Sequence, residues 1–356
     1  MNETLLSLVR QPVSWLSVNE KDDEIVISTR IRLTRNLEGM PFPVLGDQEV
    51  LHTVQGLCLN ALSETEAIAD PLDLDYSELD TLDRQLLLER RMVSKDFLSG
   101  GKTSSLVAEK DCSVSIMINE QDHLQIQALQ SGFKLAEVWE KLNGLDDRLS
   151  SKLNFAFHPK FGYLSASPAN IGTGMRASVM MHLPGLAYSN KLEGVIQGIS
   201  KLGMAVRGFY GESTPNTGNL YQISNQSTLG ESEEQIIFRL NALIRQIIRH
   251  EKDARNYFLS KKRDFILNQA GRAYGSLRYG YQISSREALD SLSALRLGAD
   301  MGMFTSVNRE AVNNLFLLVQ PAHLMYHEKK ELEKEERDSL RATIIRETLK
   351  DLRDKS

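Results

Sequence analysis

Four stretches of the chain set arginine beside glycine turns or at the ends of strand-like runs, where guanidinium groups can converge on one anion. Ser28-Thr29-Arg30-Ile31-Arg32 follows a β-branched run, and extended backbone turns Arg30 and Arg32 to the same side. Gly172-Thr173-Gly174-Met175-Arg176 adds a third arginine in open backbone. Arg207-Gly208-Phe209-Tyr210-Gly211-Glu212 adds a fourth, with a carboxylate close by. Planar guanidinium forks suit phosphate oxygens, so four of them can neutralise a nucleotide triphosphate without a P-loop. For any one arginine a surface salt bridge is the better reading; four in glycine-rich settings favour a shared anion site. Asn119-Glu120-Gln121-Asp122-His123 is a polar knot after an apolar run, a common place for site residues. Further on, Glu336-Arg337-Asp338-Ser339-Leu340-Arg341-Ala342 sets Arg337 and Arg341 four residues apart, on one helical face, with Asp338 one step round. Alone, that pair reads as the solvated face of a charged helix.

Other motifs fail on spacing. Ser99-Gly100-Gly101-Lys102-Thr103 looks like the end of a Walker A loop, but the required earlier glycine is Asp96. Gly172-Thr173-Gly174-Met175-Arg176-Ala177 fits a GxGxxA pattern, yet no Val/Ile-rich strand precedes it. The histidines form no HExxH or His/Cys cluster, so no protein-built metal site is expected, and no GxSxG elbow occurs.

The elements that must carry these residues change in character along the chain. Up to about residue 225, strand-like runs (Glu24–Ser28, Cys112–Asn119, Met204–Tyr210, Leu220–Asn225) alternate with helical spacing over Asp47–Ser63 and Leu124–Leu142. The second helix rests on Ile126, Leu129, Phe133, Leu135, Val138 and Trp139. After Gly230, acidic residues open a helix over Ile236–Phe258, with more helices expected at 284–297 and 308–320 and a boundary at Pro321. Residues 327–356 hold nine acidic and nine basic residues around spaced leucines and isoleucines, which reads as a charged amphipathic helix packed on the body. The expectation is a mixed α/β domain over 1–255 and an all-α domain over 256–356, with the break near 250–265. The chain's 356 residues exceed a typical single domain of about 100–200.

Composition narrows the class. Forty-two Lys+Arg against 47 Asp+Glu leaves a net charge of −5, which argues against a general nucleic-acid binder. Two cysteines, Cys58 and Cys112, make no disulfide framework, and no N-terminal run has signal-peptide build. No apolar stretch approaches 18 residues, so a cytoplasmic, non-membrane protein is expected.

Together the arginine segments resemble the phosphagen (guanidino) kinase family, most closely its bacterial protein arginine kinase branch. The carriers are STRIRLTRNLEGMPFP at 28–43, NEQDH at 119–123, GTGMRASVMMHLPGL at 172–186, RGFYGE at 207–212 and YQISNQSTLG at 221–230. The resemblance implies an antiparallel sheet flanked by helices, an all-α C-terminal domain, and in-line transfer of the γ-phosphoryl group of Mg-ATP to a guanidino nitrogen. Such catalysis rests on positioning and electrostatics. It places Ser28, Thr29, Arg30, Ile31 and Arg32 around the nucleotide, then Arg176, Ala177, Ser178, Val179 and Met180, then Arg207, Gly208, Phe209, Tyr210, Gly211 and Glu212. Glu212 matches a substrate-holding carboxylate as well, and 213–219 a closing loop that excludes water. The Mg2+ arrives with ATP.

This chain departs from that pattern at four places. The family's NEEDHxR knot has a second glutamate that helps activate the guanidinium; here it is Gln121, which cannot accept a proton. Its arginine is Gln125, an active-site cysteine is Ser167, and Arg91 stands where a histidine packs near adenine. Two readings stay open: a protein arginine kinase with weakened catalysis, or a pseudokinase adaptor that binds nucleotide and phosphoarginine proteins. The resemblance assigns phosphoarginine binding to Arg337, Asp338, Arg341 and Ala342. It also implies protein arginine substrates, a heat-shock repressor, a zinc-binding activator, a Clp-type protease and homo-oligomerisation.

Overall fold

Alternation along the first strand, β1 (Val26–Arg35), organises the fold: Ile31 and Leu33 turn to one side and are fully buried, whereas Arg30 and Arg32 turn to the other and stay partly open. The computed structural model describes residues 2–18, 24–69, 71–209, 217–304 and 307–351. Among these, β2 (Pro71–Asp75), β3 (Ser105–Glu109), β4 (Val114–Ile118) and β5 (Leu124–Ser131) precede a separate hairpin of β6 (Phe157–His158) and β7 (Gly162–Tyr163). Then come β8 (Met175–His182), β9 (Met204–Gly208) and β10 (Leu220–Asn225). The main sheet has the order β2-β3-β4-β5-β1-β8-β10-β9, with every pairing antiparallel.

The helices are α1 (Glu3–Val9), α2 (Gln48–Glu64), α3 (Thr81–Glu89), α4 (Leu135–Ser150), α5 (Pro184–Tyr188) and α6 (Leu192–Lys201). They continue with α7 (Glu233–Lys261), α8 (Arg263–Tyr279), α9 (Ser285–Asp300), α10 (Arg309–Leu318), α11 (Pro321–Glu328) and α12 (Lys334–Asp351). Ile31, Ile126, Ala128, Val179 and Ile223 form the apolar face of the sheet and share one core with Val54 and Cys58 of α2, Leu142 of α4 and Leu240 and Ile244 of α7. The opposite face is mixed. Leu129, Met180 and Leu220 join a second core with Trp15, Leu86 of α3, Leu292 of α9, Phe316 of α10 and Ile345 of α12. Polar side chains between them stay out of either core.

The helix expected over Leu124–Leu142 is corrected: its first half is strand β5, and α4 begins only at Leu135. Ile126, Leu129 and Phe133 recur at helical spacing, but Leu124, Ile126 and Ala128 also alternate with Gln125 and Gln127. Pairing on both sides, to β1 and β4, decides for the strand, and Gly132 at φ 73° ends it. Helix α7 is unbroken through the expected boundary at 255; the break falls at Lys262, which ends α7 and opens α8. Pro321 begins α11 at a position where its missing N–H costs nothing.

The C-terminal helices are tied to the sheet by charge as well as by apolar packing. Glu89, at the end of α3, accepts from Ala322 N (3.0 Å) and His323 N (3.2 Å) at the start of α11, and meets His323 Nδ1 at 2.8 Å. Tyr326 Oη donates to Asp83 Oδ1. On the other flank, Glu251 of α7 caps α5 through Gly185 N and Leu186 N and pairs with Arg255, which also reaches Asp300 of α9. Ile126→Ala opens a cavity in the fully buried centre of the sheet, so urea denaturation is expected to show a loss of about 2–5 kcal/mol.

Candidate active site

Register brings the arginines together. Antiparallel pairing sets Arg32 of β1 opposite Arg176 of β8, and Arg30 opposite Ser178. Gln222 of β10 stands between Met180 of β8 and Arg207 of β9, which places Arg207 on the same face. Arg91, just past the end of α3, joins them, and all five arginines line one cavity of about 610 Å³. Its far wall includes Ser285, Gln320 and Pro321 from the helical region.

The electrostatics of this cavity are one-sided. Burial, and then Arg32, Arg91, Arg176 and Arg207, push Arg30 well below its ordinary value. Burial also lowers Arg32, with Glu120 and Asp96 opposing. Like charges held this close in a partly dry site are relieved by a bound polyanion.

Each arginine is steered by its own contacts. Arg91 has φ 62°, a left-handed conformation that turns its side chain away from α3. Its guanidinium lies over the Phe209 ring (4.7 Å) and the Trp15 ring (5.2 Å) and donates to Phe209 O (3.2 Å) and Gln222 Oε1 (3.5 Å). Gln127 Nε2 holds the carbonyl of Arg91 at 2.8 Å. Arg32 Nη1 donates to Gln125 Oε1 (3.3 Å), and Gln125 Nε2 donates to Glu120 Oε2 (2.8 Å). Ser94 Oγ donates to the other oxygen of Glu120, whose pKa burial pushes up.

The residues expected around the nucleotide divide by face. Arg30, Arg32, Arg91, Arg176, Arg207, Gly208 and Phe209 line the cavity. Ser178 and Met180 share their face; Ser178 Oγ bonds to Arg30 O, and Met180 Sδ accepts from Arg91 Nη2. Expected as contacts, Ile31, Ala177 and Val179 instead lie in the apolar core, because alternation turns every second residue away. Thr29 is also turned away, with its hydroxyl donating to Gly132 O (2.7 Å), and Ser28 is buried near the start of β1. Tyr210, Gly211, Glu212 and residues 213–216 of the expected closing loop lie outside the described residues.

The polar knot acts as a brace. Asp122 accepts from Asn36 Nδ2 (2.6 Å), Ala166 N (2.7 Å) and Ser165 Oγ (2.9 Å). His123 Nδ1 accepts from Leu37 N, so its Nε2–H donates to Pro41 O; burial lowers its pKa, in keeping with a neutral ring. These bonds fix the segment carrying Ser167, which is half-buried and outside the cavity lining. Gln121 is exposed, and its Nε2 donates to Asp96 Oδ2 at 3.1 Å. Gly172 permits the turn into β8: its φ is 114°, and a Cβ there would sit 2.1 Å from Thr228 O. Sequence reasoning missed Asp96, Ser94 and Gln222 as cavity residues, since nothing in their spacing marks them.

The RDxxRA residues lie at the start of α12. Arg341 is 1% exposed and donates to Val319 O (2.9 Å), Ile283 O (2.9 Å) and Asp338 Oδ1. Ala342 is buried beside it, and Arg337 Nη1 donates to Leu332 O (2.6 Å). The motif thus holds neighbouring backbone, in contrast to the solvated face expected of the helix. Among the described residues no three His, Cys, Asp or Glu side chains are placed to hold a metal ion, and no helix is long and apolar enough to cross a membrane.

Comparison with known proteins agrees with this geometry. The ATP:guanido phosphotransferase C-terminal catalytic domain matches residues 55–254, and the protein-arginine kinase McsB C-terminal domain matches residues 263–356. The fold resembles a duplicated taurocyamine kinase from Schistosoma mansoni (TM-score 0.59, 26% identity), over 69% of this chain but only 35% of that one. It also resembles a lombricine kinase (TM-score 0.57, 23% identity, 68% of this chain and 70% of that one). Fold and arginine cavity together define an ATP:guanido phosphotransferase. A protein-arginine kinase of Halothermothrix orenii is 42% identical over 97% of this chain and 99% of its own, and one of Pelotomaculum thermopropionicum is 42% identical over 93% and 94%. The chain belongs to the protein-arginine kinase family.

Burial, and then the neighbouring arginines, make the charged form of Arg30 less favoured in the folded chain than in the unfolded one, so Arg30 costs stability at neutral pH. Arg30→Gln is expected to melt no lower than the parent without ligand and to bind Mg-ATP about 10–100-fold more weakly, as scanning fluorimetry with and without nucleotide would record. Arg341→Met removes a buried guanidinium and leaves the carbonyls of Val319 and Ile283 without their donor, so urea titration is expected to show a loss of about 2–4 kcal/mol. A purely ligand-binding role would leave stability intact.

Proposed function

We propose that this chain transfers the γ-phosphoryl group of Mg-ATP to arginine side chains of proteins, with catalysis slowed by the changes at 121 and 125. The observation that carries the reading is the cavity itself: five arginines brought to one place, and room for a nucleotide. The cavity residues fit the phosphates of ATP, and Mg2+, for which the described residues offer no ligand cluster, would come with the nucleotide and neutralise charge developing on the phosphates.

Arg30, Arg32, Arg176 and Arg207 bind and orient the phosphates from one rigid sheet, and Arg91 adds a cation from α3. The charge missing at Gln125 is thereby offset at a different position. Gln125 keeps a positioning role, tethering Arg32 and Glu120 through its two ends. An amide at 121 can hold an acceptor but takes no proton. Excluding water falls to the segment after Gly208, as the family resemblance implies.

The alternative, a nucleotide-binding adaptor without phosphoryl transfer, is favoured by Gln121 alone. Phosphoarginine binding at Arg337, Asp338, Arg341 and Ala342 would be met by an Arg341 whose Nε and Nη1 already hold Val319 and Ile283. Protein substrates are the partner class that this reading implies. Purified chain incubated with Mg-ATP and an arginine-rich protein is expected to yield phosphoarginine by mass spectrometry. Product absent from the parent but present with Gln121→Glu and Gln125→Arg combined would favour the adaptor.

A further inference from the structure

A guanidinium acceptor is a cation, and the cavity that receives its phosphoryl donor is lined with cations. Transfer needs a carboxylate at the mouth to draw the acceptor in, align it and take its proton. Among the described residues lining the cavity, two carry one: Glu89 and Asp96. Glu89 is nearly buried, and both its oxygens are engaged by α11 and His323. Glu120, close behind Arg32, has each oxygen bonded, one to Ser94 and one to Gln125. Asp96 differs from both. It is exposed, faces the cavity, acts on Arg32, and has Oδ2 bonded to the amide of Gln121.

We propose that Asp96 supplies the acceptor-side carboxylate, substituting for the one that Gln121 lacks. This rests on the phosphotransferase reading above. In the step, a guanidino nitrogen forms a bond to the γ-phosphorus as the bond from phosphorus to the β,γ-bridging oxygen breaks and its electron pair leaves with ADP. The proton lost from the attacking nitrogen passes to Asp96 and then to solvent. Gln121 orients the carboxylate by donating to one oxygen, leaving the other for the guanidinium.

The turn bearing Asp96 is stiff enough for this task. Asp96 opens a 3-10 turn, Asp96–Ser99, pinned by the buried ring of Phe97 against Tyr76 at 4.3 Å. Arg84 stacks over Tyr76 (4.4 Å) and donates to Leu98 O (2.9 Å) and Gly100 O (3.0 Å). Ser94 Oγ accepts from Phe97 N at 3.1 Å. A carboxylate on so well-held a turn keeps its aim without a bound acceptor.

The test uses the full chain with Mg-ATP and an arginine-containing peptide. Asp96→Asn, nearly isosteric and at an exposed position, is expected to lower kcat/KM for the peptide about 100-fold while Mg-ADP binds no more weakly. Adding Gln121→Glu to that variant should restore at least tenfold, since a carboxylate returns to the same spot. Full rate in Asp96→Asn, or no restoration in the double variant, overturns the proposal. If the parent itself transfers no phosphoryl group, the phosphotransferase reading fails, and calorimetry with Mg-ADP, nitrate and the peptide then judges Asp96 alone. Equal peptide affinity of parent and Asp96→Asn there would overturn its role as acceptor carboxylate; weaker binding by the variant would support it.

Discussion

Five guanidinium groups crowded around one cavity are an unfavourable arrangement, and most of this fold serves to maintain it. Four of them ride on three strands of one sheet whose antiparallel register leaves them little freedom to separate: Arg32 faces Arg176, and Arg207 lies across Gln222 from Met180. The repulsion is tolerated because the other side of the same strands is mostly apolar and seals against three long helices. Stability is gained on one face of the sheet and spent on the other. A bound triphosphate reverses the sign of the interaction without moving any strand, the preorganisation that electrostatic catalysis needs.

The fifth arginine is held by different means. Arg91 depends on a helix end, a left-handed backbone and two aromatic rings, and its carbonyl is fixed by Gln127 on β5. Two residues earlier, Glu89 binds the first turn of α11. The end of α3 is thus a junction at which the sheet, the cavity and the C-terminal helices meet. Gln320 and Pro321 close the cavity from that side, so the helical region is part of the site's architecture.

Much of the anion site was legible in the sequence because strand alternation is strict. Arg30 and Arg32 are two residues apart in a β-branched run, and that spacing alone puts them on one face. The same rule, applied to Ile31, Ala177 and Val179, would have turned them into the core, where the structure has them. What stayed hidden depends on contacts across long stretches of sequence. Arg91, placed near the nucleotide by the family resemblance alone, enters the cavity through a helix terminus 131 residues away from its partner Gln222. Asp96 meets Gln121 across 25 residues, and no local pattern signals either meeting. Residues 124–131 carried both helical and strand periodicities, and only their neighbours on each side could choose between them. The bonds of Arg341 to Val319 and Ile283 were hidden for a related reason: main-chain carbonyls as acceptors leave no trace in a sequence.

That buried arginine has a thermodynamic consequence. Val319, whose carbonyl Arg341 holds, is bonded directly to Gln320, and Gln320 and Pro321 face the phosphate cavity. A ligand that drew Arg341 off Val319 would change the free energy of the cavity wall by the strength of the contact it displaced. Linkage then makes the effect mutual: whatever factor such a ligand imposed on nucleotide affinity, nucleotide would impose on the ligand. The hydrogen bond from α12 to Val319, two residues ahead of α11, is the contact through which such a coupling would run.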